Sequence, residues 1–386
     1  MNHIELKKEP KKSAIVCYGT RISLNSINVR SVDLTFMRSY LMDVLGRSEV
    51  DYVSQKTKKE EGLDYFKDIT DVDLNYYDEV FIYNCTLNPF GGVFKWHSLQ
   101  LFVDLYNYNG KIYYALFDPK MPAVDFAKYL KNRDKNGTYT FKADNEAGEF
   151  KIDPDILDNW TEKVWSRMNT AYAGLDYDKF VDLWNKKHKG KITELNTEIE
   201  WTNFWLFEYY SVNEEFELKM KDYEKVAEPY DLVYFGNNRQ NERNKVIKKL
   251  YDIPEFKKYC IGFDPELQNC EFEKYLKHEQ LFEKLGKNCL ATVVVGDDLH
   301  NGNFRTARFF ETMLLDIAAF IYIDFDPTKQ YMNDPFLKEF IYVSSKEELK
   351  EKILMLKNDH ALYKKVVELE RKEIITQFGN YKKEAK

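Results

Sequence analysis

The chain has 386 residues, a formal net charge of −7, and a composition that is 44% hydrophobic and 16% aromatic. This apolar content excludes a disordered chain and is typical of a globular enzyme. The acidic net charge argues against a protein that coats nucleic acid without specificity, because such proteins need a basic surface. The length favours two domains over one large α/β unit.

The chain shows no sign of export or membrane insertion. No segment reaches the roughly 18 to 20 apolar residues of a membrane span, and the charged start does not match a signal peptide. The five cysteines, Cys17, Cys85, Cys260, Cys270 and Cys289, show no CxxC pairing. We therefore expect buried, reduced thiols and a cytosolic protein without a membrane partner.

Short apolar runs in the first half of the chain predict strands. They are SAIVCYG (13–19), VDYVSQ (50–55), DEVFIYN (78–84) and KIYYALF (111–117). Segments between them are long enough for helices, for example 34–45 and 99–106. Alternating strands and helices are typical of a parallel sheet with crossover helices.

The second half of the chain repeats this arrangement. Predicted strands cover DLVYFG (231–236), LATVVVGD (290–297) and AAFIYIDFD (318–326), and predicted helices cover about 241–250 and 305–317. The sequence therefore predicts two doubly wound α/β domains, joined near 224–229.

The remaining segments predict helices. The aromatic and charged segment over 123–222 is expected to be mainly helical. Ser345 and Glu348 form the pattern of a capping box, which predicts a helix running towards residue 358. A last helix is predicted over 361–377.

Polar residues follow the strand predicted over 231–236. Gly236 would let the backbone approach a ligand, and Arg239 and Arg243, one helical turn apart, could place two guanidinium groups on one diphosphate. Ligands of doubly wound sheets bind outside the carboxyl ends of the strands, where helix N-termini point their amide groups inward. The alternative is a solvated helix start.

A second polar cluster, GDDLHNGNFRTARFFETM, covers 296–313. Arg308 and Glu311 lie three residues apart on one face of a predicted helix, so the carboxylate could bind ribose hydroxyls while the arginine meets phosphate. The alternative is an ordinary intrahelical ion pair. His300 is either a ligand-binding residue or a loop residue, and its chemistry alone does not decide.

Asp118 is the third candidate, at the tip of the strand predicted over 111–117. Pro119 follows it and favours an extended conformation, so the carboxylate is either a general base facing a cleft or a turn residue. No GxxxxGK[ST], HExxH, CxxC or GxSxG pattern occurs, which excludes the commonest nucleotidase, metalloprotease, redox and hydrolase interpretations. No ligand cluster for a metal is encoded.

Taken together, these segments resemble one family, the phage DNA β-glucosyltransferases, which move glucose from UDP-glucose to 5-hydroxymethylcytosine in DNA. NCTLNPFGG and KIYYALFDPKMP resemble the acceptor-domain strands, DLVYFGNNRQNER the donor-domain entry, and GDDLHNGNFRTARFFETM through YVSSKEEL the nucleotide-binding end. The resemblance implies the GT-B fold, with two facing Rossmann-like domains and a deep cleft between them. They would cover 1–225 and 226–360, and a C-terminal helix over 361–386 would return to the first domain.

The resemblance also implies roles for single residues. Asp118 falls on the catalytic base, which takes the proton of the hydroxymethyl group as its oxygen attacks the anomeric carbon, so the reaction would invert the sugar. Arg239 and Arg243 fall on arginines that hold the diphosphate, and Gly236 and Asn237 fall on the turn beside it.

Other positions complete the implied site. Arg308 falls on a phosphate arginine, Glu311 on the ribose carboxylate, and Glu208 roughly on a carboxylate near the donor sugar. His300 stands where the family has an aromatic residue. Candidates on the acceptor side are Asp33, which is one residue out of register, with Asn88, Phe90, Gly91, Lys95 and Trp96.

Substrates and partners follow from the same resemblance. The donor would be a UDP-sugar, carrying glucose or a pentose such as arabinose, and Mg²⁺ or Mn²⁺ is expected to assist product release. The acceptor would be double-stranded phage DNA carrying 5-hydroxymethylcytosine, with the base extruded from the stack. Candidate DNA contacts are the basic runs at 131–137 and 186–191, with Phe94 and Trp96. We expect a monomer that acts in the infected bacterial cytoplasm and protects phage DNA from host nucleases.

Two alternatives stay open. The acidic charge, and the segment over 123–222 that barely matches the family, also suit a UDP-sugar transferase whose acceptor is a carbohydrate, a protein or a free nucleotide. A non-catalytic binding protein on a decayed transferase scaffold is the other, although Asp118, Arg239, Arg243 and Glu311 are retained together.

Overall fold

The structure is a computed structural model that describes the greater part of each predicted sheet. The described residues are 6–16, 37–38, 40–54, 64–83, 95–116, 138–143, 146–151, 153–172, 178–179, 181–182, 186, 201–203, 230–236, 238, 242–276, 280, 284–286, 288–297, 300–302, 309, 312 and 317–379.

The chain divides into two compact units. The first comprises Met1–Ser26 and Arg30–Leu206, and the second comprises Ile27–Val29 and Phe207–Lys386. The division therefore lies before the boundary expected at 225/226. The return of 361–386 to the first domain stays a prediction.

The first unit is built on a seven-stranded parallel sheet. In spatial order its strands are β3 (Phe66–Asp68), β2 (Glu49–Ser54), β1 (Lys12–Val16), β4 (Glu79–Tyr83), β5 (Lys111–Leu116), β8 (Asn169–Tyr172) and β9 (Trp201–Asn203). The four strands predicted here are confirmed, and their apolar side chains are buried because helices cover a parallel sheet on both faces. Helix α1 (Lys95–Asn107) lies between β4 and β5 in the chain.

The segment over 123–222, which is expected to be mainly helical, contains strands among its described residues, and its character as a whole stays a prediction. Its described residues include β8 and β9, and also an antiparallel hairpin of β6 (Thr138–Ala143) and β7 (Glu146–Lys151). The run TYTFKA in β6 is rich in threonine and aromatic residues, which favour strands. Helix α2 (Pro154–Lys163) also lies in this segment, and residues 178–179, 181–182 and 186 are helical as well. Trp160 of α2 stacks on Phe102 of α1 with ring centroids 4.5 Å apart.

The second unit is built on a six-stranded parallel sheet. In spatial order its strands are β12 (Cys270–Glu273), β11 (Lys258–Ile261), β10 (Tyr230–Phe235), β13 (Cys289–Val294), β14 (Ala318–Tyr322) and β15 (Tyr342–Val343). The sequence analysis predicts β10, β13 and β14. It misses β11, β12 and β15, which are short, and β12 carries two glutamates at an exposed edge.

Both sheets have the strand order of a Rossmann fold. In each sheet the first two crossovers run one way from the first strand, β1 or β10, and the later strands run the other way. The order therefore reverses between β1 and β4 and between β10 and β13. Ligands of such sheets bind in the crevice at the carboxyl ends of the strands beside this reversal.

Several helices of the second unit have both of their ends among the described residues. They are α3 (Glu242–Tyr251), α4 (Pro335–Phe340), α5 (Lys346–Asn358) and α6 (His360–Gly379). At the start of α5 the hydroxyl of Ser345 accepts the Glu348 N–H at 3.2 Å, and the Glu348 carboxylate accepts the N–H of Ser344 at 2.8 Å. Over the described residues, no helix is long and apolar enough to cross a membrane.

Helix α6 also completes the hydrogen bonding of β14. Ile321 donates its N–H to Ile341 beside β15, but β15 is too short to reach Ala319, two residues earlier on the same side. The fully buried Glu370 of α6 fills this place, since both of its carboxyl oxygens lie 3.1 Å from the Ala319 nitrogen. Burial raises the pKa of Glu370 well above its ordinary value.

Candidate functional site

Loops at the carboxyl ends of β10 and β13 form the candidate site of the second unit. After β10, Gly236 donates its N–H to the carbonyl of Ile261 at 3.0 Å, and Asn238 donates its N–H to that of Gly262 at 3.2 Å. The end of β11 thus fixes the path of the loop after β10. This loop lies where the strand order reverses, so it occupies the ligand-binding edge of the sheet.

The same loop is tied to the first turn of α3. The buried Asn244 donates from its side-chain amide to the Asn238 side-chain oxygen at 2.6 Å. Arg243 precedes Asn244 and therefore also lies in this first turn, where the N–H groups of a helix favour anions. The guanidinium of Arg243 adds a positive charge to these N–H groups, and both would attract a phosphate.

On the β13 side, Asp297 and His300 form a buried pair. The Nδ1 atom of His300 lies 2.5 Å from the Oδ1 atom of Asp297, and only 9% and 16% of the two side chains are exposed. Backbone N–H groups of His300 and Asn301 donate to the Asp297 carbonyl at 2.9 and 3.0 Å. The result is a tight turn that presents one carboxylate and one imidazole beside β13.

Electrostatics connect this pair with Arg243. Burial acts to raise the pKa of Asp297, but the hydrogen bond from His300 and the charges of His300 and Arg243 outweigh it, and the pKa falls to about 2. Asp297 is therefore ionised at neutral pH. His300, from the β13 side, contacts this carboxylate directly, and the charge of Arg243, from the β10 side, also lowers its pKa.

Gly296 allows the β13 loop to pack closely. A Cβ atom at this position would lie 2.4 Å from the side-chain oxygen of Asn301 and 2.8 Å from a ring carbon of Phe325. Gly302 adopts a positive φ of 68° and donates its N–H to the carbonyl of Phe325 at 2.9 Å. The loop therefore rests on the residues that follow β14.

An aromatic cluster holds Phe309 against residues that follow β14. Phe309, Phe325 and Tyr331 are fully buried, and the ring of Tyr331 lies edge-on to both phenylalanines with centroids 5.5 Å apart. Phe309 is adjacent to Arg308 in the chain. The cluster therefore fixes Phe309 itself, whereas Arg308 and Glu311 lie outside the described residues.

Three predicted site residues lie in this region, namely Gly236, Arg243 and His300. Lys95 and Trp96 begin α1, and only their backbone is described. The other predicted site residues lie outside the described residues: Asp33, Asn88, Phe90, Gly91, Asp118, Glu208, Asn237, Arg239, Arg308 and Glu311. Their roles stay predictions.

The sequence analysis missed three members of the site, Asn238, Asn244 and Asp297. Asp297 had a usable signal, because it follows an apolar strand and a glycine directly. The signal for Asn238 and Asn244 was weaker, because sequence spacing does not show that their side chains form a hydrogen bond across the loop. In the described part of the chain, no three histidine, cysteine, aspartate or glutamate side chains are arranged to hold a metal ion.

Comparisons with known proteins show which proteins this chain is similar to. The sequence model of the family described as Bacteriophage T4 beta-glucosyltransferase matches residues 12–151. The DNA beta-glucosyltransferase of Enterobacteria phage T4 is 25% identical over 381 residues, which cover 93% of this chain and 93% of that protein. The chain resembles the phage DNA β-glucosyltransferases. The resemblance found in its motifs is thereby confirmed.

Solved structures of glucosyltransferases share the fold. T4 phage BGT in complex with UDP and Mn²⁺ matches with a TM-score of 0.67 and 20% identity, covering 97% of both chains. An alpha-glucosyltransferase in complex with UDP matches with a TM-score of 0.51 and 9% identity, covering 95% of this chain and 96% of the other. The predicted α/β fold of the GT-B class is confirmed.

Proposed function

We propose that this protein is a glycosyltransferase that moves a sugar from a UDP-sugar to the hydroxymethyl group of 5-hydroxymethylcytosine in phage DNA. The observation that carries the proposal is the position of Arg243, on the first turn of a helix at the strand-order reversal of the second sheet. Similarity to a DNA beta-glucosyltransferase along 93% of the chain supports the reaction class.

The donor diphosphate would bind at the start of α3. Arg243 and the N–H groups of the first helical turn would stabilise the negative charge that grows on UDP as the sugar leaves. The hydrogen bond between Asn244 and Asn238 holds the loop in place before the donor binds. Such preorganisation matters because groups that do not have to move stabilise the transition state most effectively.

Asp118 would act as the base of an inverting displacement. It follows β5 by two residues and so belongs to the carboxyl-end side of the first sheet in sequence. The carboxylate would take the proton of the hydroxymethyl group while that oxygen bonds to the anomeric carbon and the bond to UDP breaks. The target base would be extruded from the DNA to reach it.

Glucose or a pentose such as arabinose would be the sugar. A magnesium or manganese ion, implied by the resemblance, would take most of its ligands from the diphosphate, because Mg²⁺ commonly binds through substrate phosphates with few protein carboxylates. We assign the protein a monomeric state and a place in the infected bacterial cytoplasm, where its product would protect phage DNA from nucleases.

The proposal is tested by incubating the protein with a panel of UDP-sugars and DNA that contains either cytosine or 5-hydroxymethylcytosine. Mass spectrometry of the digested nucleosides should show a gain only for hydroxymethylated DNA, and its size separates hexose from pentose. Asp118→Asn should abolish the gain while UDP binding persists. UDP release without any change in DNA would refute DNA as the acceptor and support only the assignment of a UDP-sugar donor.

A matched pair of variants tests the donor site itself. Arg243→Ala should weaken UDP binding by about tenfold or more, since a charge-assisted contact to phosphate is lost. Lys245→Ala removes an exposed cation from the same helix, paired only with the neighbouring Glu242 at 2.5 Å among its described contacts, and should bind UDP as the parent protein does. An equal loss of UDP affinity in the two variants would indicate nonspecific attraction by positive charge and not a defined phosphate-binding site.

A further inference from the structure

We infer that a groove at the junction of α5 and α6 is a docking site for a basic amphipathic helix of a partner protein. The groove has a volume of about 450 Å³. Its walls combine apolar and polar side chains, namely Leu354, Met355 and Leu362 with Glu351, Asn358 and Asp359. The inference is independent of the proposed function, because none of these residues belongs to the candidate site.

The first step concerns two apolar residues exposed on α5. Leu349, Ile353 and Leu356 are the buried residues of this helix, and their spacing of three and four residues forms one apolar face. Leu354 and Met355 lie outside that spacing, and 38% and 45% of their surfaces are exposed. Single exposed apolar residues are common, but neighbouring ones that line a groove together typically mark an interaction site.

The second step concerns the charge of the groove. The lysines of α5 pair with other acids: Lys346 with Asp252, Lys350 with Glu255, Lys352 with Glu348 and Lys357 with Asp231. Within the described part of the chain, neither Glu351 nor Asp359 has a lysine or arginine partner. The Asp359 carboxylate accepts the Leu362 N–H at 3.0 Å, which holds this charge at the start of α6. The groove therefore carries two carboxylates beside its apolar residues.

The third step concerns the position of the groove on the second unit. Lys357, near the end of α5, lies 2.5 Å from the carboxylate of Asp231, the second residue of β10. The end of α5 therefore lies at the amino end of β10, whereas the candidate site lies at the carboxyl ends of β10 and β13. A partner bound in the groove would leave the candidate site open.

The chemistry of the groove selects the class of partner. Its carboxylates would repel the phosphates of DNA and the anionic lipids of a bilayer. An apolar side chain would instead contact Leu354, Met355 and Leu362, and the flexible thioether of Met355 can adapt to its shape. A lysine or arginine one helical turn away would meet Glu351 and Asp359. Helices that lay an apolar face into a groove are a recurring mode of protein recognition.

Nuclear magnetic resonance of the leucine and methionine methyl groups tests the inference with two synthetic helical peptides. Both peptides carry the same leucine face, and their other positions are lysine in one and glutamate in the other. The lysine peptide should shift the resonances of Leu354, Met355 and Leu362 and bind about tenfold more tightly than the glutamate peptide. Absence of these shifts, or equal affinity of the two peptides, would overturn the inference.

Matched variants separate the groove from other exposed surfaces. Leu354→Gln combined with Met355→Gln should weaken binding of the lysine peptide about tenfold. Phe272→Gln is its control, because Phe272 is also 45% exposed but lies on β12. Glu351→Gln should weaken binding about threefold, whereas Glu339→Gln, at an exposed position of α4, should not change it. Equal losses in the groove variants and their controls would overturn the inference, and thermal unfolding verifies that each variant is folded.

Two further measurements distinguish the partner helix from other occupants. Analytical ultracentrifugation of the protein alone should show no dimer that the combined Leu354→Gln and Met355→Gln change dissociates. Such a dimer would assign the groove to a second copy of the chain and overturn the inference. Spermidine, a small polycation without an apolar face, should not reproduce the methyl shifts of the lysine peptide. If it did, charge alone would explain binding, and the inference would be wrong.

Discussion

Buried charges lie at opposite ends of the strands in the two units. In the first unit, Arg47 and Glu79 form a pair at the amino end of the sheet, and each side chain is only 1% exposed. In the second unit, Asp297 and His300 form a pair at the carboxyl end of β13. Both pairs join a basic side chain to a buried carboxylate, but their surroundings differ.

Protein groups satisfy the amino-end pair thoroughly. The Glu79 carboxylate accepts from Arg47 Nε at 2.5 Å and from the Ser13 hydroxyl at 2.6 Å, and Arg47 also donates to the carbonyls of Lys7, Glu9 and Leu45. The carboxyl-end pair instead lies on a turn between Gly296 and Gly302, beside the reversal of strand order. The amino-end pair is thus satisfied by protein groups, whereas the second pair lies at the edge where ligands of doubly wound sheets bind.

The largest effect is expected when the amino-end pair is broken. Glu79→Gln leaves the Arg47 charge buried without its carboxylate and should lower the free energy of unfolding by about 3–5 kcal/mol in urea titrations. UDP affinity of the folded protein should not change. Lys364→Gln, in an exposed pair with Glu368, is the control and should have little effect on stability. If the folded Glu79→Gln protein bound UDP more weakly, the amino-end pair would also affect ligand binding, and the proposed difference between the two ends would be wrong.

A smaller but site-directed effect is expected for Gly296→Ala. The new methyl group would push Asn301 and Phe325 apart, so stability should fall by about 1–3 kcal/mol. UDP binding should weaken about tenfold as the turn shifts. Gly286→Ala is the matched control, because no described atom lies within 4 Å of its added Cβ. Loss of stability with unchanged UDP affinity would show that this turn supports only the fold.

The smallest expected change in stability concerns Asp104, whose carboxyl group lies in a helix and at neither end of a sheet. Burial raises the pKa of Asp104, in α1, to about 6, partly offset by a hydrogen bond from Gln100. The unfolded carboxyl, with its lower pKa, ionises more readily, so this group costs stability as the pH rises from about 4 through 6. Asp104→Asn should therefore be more stable than the parent by about 1 kcal/mol at pH 8.

The pH series supplies the control for Asp104. The gain should vanish below about pH 4, where the carboxyl is protonated in both states. Asp158→Asn is the matched control, because it makes the same substitution at an exposed position of α2. A gain that is constant with pH would assign the effect to packing.

Sequence patterns predicted the parts of the fold whose signal is local. The runs in β1, β4, β10 and β13 are apolar and β-branched, and a buried parallel strand needs that composition. The strand β12 was not predicted, because its two glutamates suit an exposed edge strand and hide the apolar pattern of a buried one. Strands β8 and β9 were missed for a different reason: β8 pairs with β5 and β9 pairs with β8, and partners far apart in the chain leave no local pattern.

The site was predictable as far as residue chemistry at strand ends allows. Gly236, Arg243 and His300 follow predicted strands, and the structure places them at one sheet edge. The pairing of His300 with Asp297 was not predictable, because spacing does not show which of several neighbouring polar groups a buried imidazole selects. Compensation of a buried charge depends on the packed surroundings, and these form only in the folded chain.

The bond from Glu370 to Ala319 has a consequence for how the protein is made. A ribosome releases β14 well before Glu370, so the Ala319 N–H has no protein partner in the growing chain until α6 has emerged. The first unit can form its sheet early, since domains generally fold as units during synthesis. The second unit must wait for α6. We therefore expect a nascent chain stopped before residue 370 to expose this edge of the second sheet to chaperones.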